Sequence, residues 1–154
     1  MKRSVMFSVV MLLVFGIAWA QKPVDKASLL QDPEWKKIYD DYVPAGESIQ
    51  SLREKVAGLK ADVYFAFWCS DSLNHVPVFL KILDVAAVSG FDVAFYEVDR
   101  KATPEQKYYV EGMMVEKVPT FIFYADGVEI GRIVENPAHS ILEDILAVSC
   151  GGRD

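Results

Sequence analysis

The stretch that most limits what this chain can fold into lies between residues 63 and 99. "VYFAFW" (63–68) is a continuous apolar run, as expected of a strand covered on both faces. In "SLNHVPVFLKILDVAAVSG" (72–90), Leu73, Val76, Leu80, Leu83 and Ala87 recur at alternating spacings of three and four, which predicts a long amphipathic helix. "FDVAFYEVD" (91–99) then reads as a second strand. Strand, helix and strand in succession make a right-handed crossover between parallel strands, so the chain is of the α/β class.

The flanking segments extend this unit. "TFIFYADGVEIGRIVE" (120–135) is two β-rich runs joined at Asp126-Gly127, a strong hairpin signal, so an antiparallel pair makes the sheet mixed. "PEQKYYVEG" (104–112) reads as a short helix, and residues 137–150 as a closing helix with Ile141, Leu142, Ile145 and Val148 inward. Upstream, residues 21–31 read as a linker. Asp32-Pro33-Glu34 then supplies an N-cap, a first-turn proline and a first-turn acid. Trp35, Ile38, Tyr39 and Tyr42 form one apolar stripe of a helix stopped by Pro44. A second helix over 47–57 carries Ile49, Leu52 and Val56, with Gly58 as its stop. These stripes read as core faces, not a cofactor box. The predicted order is α-α-β-α-β-α-β-β-α.

The first 20 residues have the make-up of a signal peptide. Lys2 and Arg3 precede an apolar run from Val5 to Ile17, and Ala18-Trp19-Ala20 gives a small-x-small cleavage pattern. An uncleaved anchor is the alternative, but the run is shorter than the roughly 20 apolar residues that span a bilayer. No cysteine follows it to carry a lipid. The expectation is therefore export, to a periplasm or the extracellular space, with no membrane span after cleavage.

Without Lys2 and Arg3, the 16 basic residues fall to 14 against 22 acidic ones, a net charge of −8. Such a chain does not favour nucleic acid or an anionic membrane surface. Two cysteines, Cys69 and Cys150, make no disulfide framework, although an exported location permits disulfides. No Cys/His spacing matches zinc and no glycine-rich phosphate loop occurs, so neither metal nor cofactor is expected. His75 and His139 read as solvated, and Asp40-Asp41 and Glu143-Asp144 as solvated faces.

Cys69 is the residue with chemistry. It falls at the start of the long helix, where unpaired N–H groups and the macrodipole stabilise an anion. Ser72 stands one turn on, and its hydroxyl can donate to a thiolate, whereas the Asp71 carboxylate opposes a second negative charge. The expectation is a moderately activated nucleophile. The alternative is an inert cysteine packed like a small apolar residue. Its place at a strand–helix turn beside Ser70-Asp71-Ser72 argues against burial.

Trp68-Cys69 between first strand and long helix, Pro77 eight residues after Cys69, Val118-Pro119-Thr120 before the hairpin and Asp126-Gly127 at its turn together resemble the thioredoxin-like family. "WCSDS…VP", "VPTFIFY" and "EIGRIVENP" also resemble exported bacterial thioredoxin-like proteins with a single active-site cysteine. The resemblance implies a thioredoxin fold over residues 48–150, a mixed central sheet flanked by helices, with residues 21–47 as linker and N-terminal helical extension. It implies Cys69 as nucleophile and a cis peptide before Pro119. It also makes Trp68, Val118 and Pro119 the walls of a substrate groove, and protein thiols or disulfides, or a small thiol such as glutathione, the partners.

The chain departs from that family in several places. Ser72 stands where a second cysteine would attack the mixed disulfide, so Cys-x-x-Ser suits isomerisation or mixed-disulfide formation better than net reduction. Val63 replaces the buried acid six residues before the thiol, and strand alternation points Asp62 the other way. Val134 and Glu135 stand where the family keeps a small groove glycine. The family's last helix packs away from the catalytic turn, so Cys150 is expected as a half-buried thiol or an intermolecular partner. The rival expectation is a non-catalytic thioredoxin-fold binding or scaffold module.

Overall fold

The computed structural model describes residues 22–98 and 115–151. Their elements are α1 (Lys26–Leu29), α2 (Pro33–Asp41), α3 (Gly46–Lys55), β1 (Lys60–Phe65), α4 (Ser70–Ala86), β2 (Asp92–Glu97), β3 (Thr120–Ala125), β4 (Val128–Val134) and α5 (Ile141–Gly151). The strands form one sheet in the order β2-β1-β3-β4. β1 runs parallel to β2, with Lys60 opposite Asp92, and antiparallel to β3. β3 and β4 form the expected hairpin. Its turn residues Asp126 and Gly127 have φ of 50° and 80°, the pair of left-handed conformations that a tight two-residue hairpin turn demands. The sheet is therefore mixed, as predicted. The helix predicted over 104–112 lies outside the described residues.

Alternation along the strands separates two faces. Ala61, Val63 and Phe65 of β1 join Phe95, Phe121, Phe123 and Ile133 in the main core. Buried residues of all five described helices close over that face, from Leu29 and Trp35 to Ile145. Tyr64, Tyr96, Ile122 and Tyr124 point to the other face and form a second cluster with Val98 and Val115. Asp62 lies on that second face, 3% exposed, with its carboxylate 3.1 Å from the Lys60 ammonium. The predicted divergence of Val63 and Asp62 is thus observed.

Several boundaries differ from the sequence reading, each for a local reason. β1 covers 60–65 rather than 63–68. The Ala66 backbone leaves the ladder: its carbonyl accepts from the Cys69 N–H at 3.1 Å, and its N–H donates to Ser72. An apolar-run criterion missed the start because Lys60 and Asp62 interrupt it. The last helix begins at Ile141 rather than 137, because Pro137–Ser140 is folded into a cap. Ser140 Oγ accepts from the Glu143 N–H at 3.2 Å, and the Asp144 carboxylate accepts from the Ala138 and His139 N–H groups. Glu143 and Asp144 are therefore capping groups more than a solvated face.

The segment 21–31, expected as a linker, contains α1 and an isolated bridge from Val24 to Phe95 of β2. Leu29 is fully buried, a contribution of about 1.5–3 kcal/mol. α2 begins as predicted, with the Asp32 carboxylate accepting from the Glu34 and Trp35 N–H groups and Pro33 in the first turn. It is held to α4 by Asp84, which pairs with Lys26 and accepts from the Tyr39 hydroxyl at 2.6 Å. Lys81 also lies over the Tyr39 ring. The extension shares the core of the domain.

Candidate active site

The site forms where β1 turns into α4. Cys69 is the N-cap of α4, with extended backbone angles, and its carbonyl accepts from the Leu73 N–H at 3.0 Å. The side chain is half-buried, so the inert, fully buried cysteine is not what the fold builds. Its Sγ lies 3.1 Å from the Val118 carbonyl oxygen and donates to it. Val118 precedes Pro119, and the peptide between them is cis, as the resemblance implied. Residues 49 positions apart in sequence thus meet in the lining of a groove of about 260 Å³.

Trp68 forms one wall of the groove and is 43% exposed. Its indole N–H donates to the carbonyl of Val98, just past β2, 3.2 Å away, which fixes the ring in that wall. Val98, Val115 and Val118 supply apolar lining, and Asp71, Glu116, Lys117 and Glu135 supply charge. Pro119, expected as a groove wall, is buried and does not line the groove; its carbonyl accepts from the Glu135 N–H at 2.7 Å. The Glu135 carboxylate pairs with Lys117 at 2.6 Å, and this contact raises the lysine's pKa above its ordinary value.

Glu135 also has a φ of 57°, the left-handed region that glycine enters most easily. The position thus keeps the backbone shape suited to glycine while adding a carboxylate to the groove.

Ser72 is placed differently from the expectation. It is fully buried, and its Oγ accepts from the Ala66 N–H at 3.2 Å. The hydroxyl braces the turn from inside, while the Cys69 thiol donates to the Val118 carbonyl. Pro77 lies inside α4 and is buried. Cys150 is exposed rather than half-buried, with the Lys55 ammonium 2.9 Å from its Sγ, and neither thiol is in a disulfide. His75 contacts Asn136 at 3.1 Å, and His139 is exposed.

Sequence reasoning missed Phe67. It is 38% exposed and lies between the strand end and the Trp-Cys pair. Its ring rests on Trp35 of α2, with centroids 4.9 Å apart. A run of aromatic residues at the strand end was the available signal, but it could not say which ring would meet which.

A mixed four-stranded sheet carrying a half-buried thiol at a helix N-cap, opposite the carbonyl that precedes a cis-proline, defines a thioredoxin-fold thiol protein. A sequence profile described as thioredoxin matches residues 18–145. This chain belongs to the thioredoxin family. A thioredoxin of Malassezia sympodialis is 35% identical over 89 residues, covering 56% of this chain and 80% of that protein.

In three dimensions the chain is similar to a protein of unknown function from Pseudomonas aeruginosa. The TM-score is 0.60 at 13% identity, covering 84% of this chain and 93% of the other. An HIV epitope-scaffold gives 0.54 at 14% identity, covering 84% of each chain. At these identities the structures support the fold alone. Family membership points to thiol–disulfide oxidoreductase activity on protein thiols or disulfides.

Proposed function

We propose that this protein performs monothiol thiol–disulfide exchange through Cys69, acting on protein substrates after export. The observation that carries the reading is the Cys69 thiol at the N-cap of α4, 3.1 Å from the Val118 carbonyl, in an open groove. A helix N-terminus favours the thiolate, which is the attacking species.

The Cys69 thiolate attacks one sulfur of a client disulfide and forms a mixed disulfide. The other client sulfur departs with the electron pair and takes up a proton. Ser72 offers no second thiol, so the adduct persists until an outside thiol, from the client itself or a small molecule such as glutathione, attacks it. If that thiol belongs to the client, the net result is isomerisation, with no change in oxidation state. The signal-like segment 1–20 supports export, where client disulfides persist.

Reaction of the purified protein with a peptide disulfide, read by intact mass, tests this. The expected product is a 1:1 adduct on Cys69, absent in Cys69→Ser and retained in Cys150→Ser. An adduct confined to Cys150, or none, favours the second reading of a binding module. The inward-facing Ser72 and the apolar Val63 at the family's acid position are the observations on that side.

A further inference from the structure

Besides its backbone hydrogen bond and the thiol's own contact with Val118, the turn that carries the nucleophile is braced from three sides. Inside, Ala66 donates to Ser72 Oγ at 3.2 Å. At the groove, Trp68 donates to the Val98 carbonyl at 3.2 Å. The third comes from outside the 48–150 region. Trp35 of α2, 1% exposed, packs against Phe65 at the end of β1 and Phe67 in the turn, with centroids at 5.4 and 4.9 Å. Phe65 and Phe67 meet edge to face at 5.4 Å, which closes an aromatic triad.

We infer that Trp35 is a positioning residue for Cys69: the N-terminal helical extension sets the geometry of the nucleophile through Phe67. Phe67 is two residues before Cys69 and 38% exposed, and its ring packs on Trp35 and Phe65 from the protein side. Edge-to-face and tilted aromatic pairs prefer definite orientations, so the triad resists rotation of the turn as well as its departure. The base beneath it is firm. α2 is anchored to α4 by Tyr39 on Asp84, which also pairs with Lys26 of α1, and α4 is the helix whose N-cap is Cys69. Helix and turn are thus held in one frame by residues that touch neither the thiol nor the groove. A nucleophile displaced by about 1 Å loses reactivity far more than stability.

This inference rests on the exchange reading above, and the experiment separates the two. The second-order rate of mixed-disulfide formation at Cys69 with a neutral peptide disulfide is measured well below the unfolding temperature, in the full chain carrying Cys150→Ser. Trp35→Leu is expected to lower the rate at least fivefold, and Trp35→Phe to stay within twofold of the parent. Leu52→Ala, a core truncation in α3 remote from the turn, destabilises the same core and is expected to leave the rate within twofold. Phe67→Ala removes the contact from the exposed side and should reproduce the Trp35→Leu loss, which keeps the test decisive if Trp35→Leu does not fold. The double variant should be no slower than the slower single one.

Unchanged rates in folded Trp35→Leu and Phe67→Ala overturn the positioning role, as does an equal loss in Leu52→Ala. A parent whose Cys69 does not react overturns the exchange reading itself, and the positioning role with it.

Discussion

The hydroxyl of Ser72 accepts a hydrogen bond from the Ala66 N–H at 3.2 Å, joining the first turn of α4 to the residue that follows the end of β1. Both residues are fully buried, so water cannot replace the bond. Ser72→Ala should therefore cost about 1–3 kcal/mol, the penalty for a buried donor left without a partner. Since the thiol of Cys69 faces Val118, its exchange rate should change less than threefold. Denaturant unfolding and mixed-disulfide kinetics on the same variant decide the matter. A large loss of rate with no loss of stability would return Ser72 to the role of thiolate donor.

Ser72→Cys asks what the missing thiol would add. A sulfur there lies one turn from Cys69, within range of small adjustments that bring two thiols into bonding distance. An internal attack would replace a bimolecular one, so reduction of a model protein disulfide with a dithiol reductant should rise at least tenfold. Adducts trapped on Cys69 should fall accordingly. If the 69–72 disulfide forms while turnover stays at the parent's level, resolution was not the limiting step.

At Glu135 the expected change in stability is small, because two effects oppose each other. A non-glycine residue in the left-handed region costs roughly 1–2 kcal/mol, and the solvent-screened ion pair of Glu135 with Lys117 offsets little of it. Glycine restores the preferred conformation but loosens the unfolded chain by about 0.4–1 kcal/mol. Glu135→Gly should leave stability within about 1 kcal/mol of the parent while clearing a side chain from the groove. Exchange with a bulky peptide disulfide should then speed up relative to a small one. Equal rates for both substrates, before and after, would show that the groove is not limiting.

The Asp84 clasp should be pH-dependent. Partial burial pushes the Asp84 carboxyl up, but hydrogen bonds from Lys26 and Tyr39 outweigh it and hold it below the ordinary value of 3.8. The same contact pushes the Tyr39 hydroxyl up to about 12. A depressed carboxyl stabilises the fold above its unfolded pKa, and that share is lost as pH falls through the lower folded value. Asp84→Asn should therefore be less stable than the parent at pH 7, and the two should converge below about pH 4. Parallel melting curves at pH 7 and pH 3 would count against the clasp.

Much of this protein was legible in its sequence because the signals are local. Alternating spacings of three and four marked α4, Asp126-Gly127 fixed the hairpin, and Asp32-Pro33 opened α2. Cys69 fell at a helix start for the same reason, since a strand run stops and a helical period begins within a few residues. Period-two alternation even separated Val63 from Asp62. Other features depended on which surfaces meet. The inward turn of Ser72, the Val118 carbonyl opposite Cys69, the left-handed backbone of Glu135 and the ring of Trp35 beneath Phe67 have no local signature. Each depends on packing between segments distant in the chain, where the energy of a contact belongs to both partners at once. The chain itself determined that a thiol would stand at the head of a helix; only the packed fold decided what surrounds it.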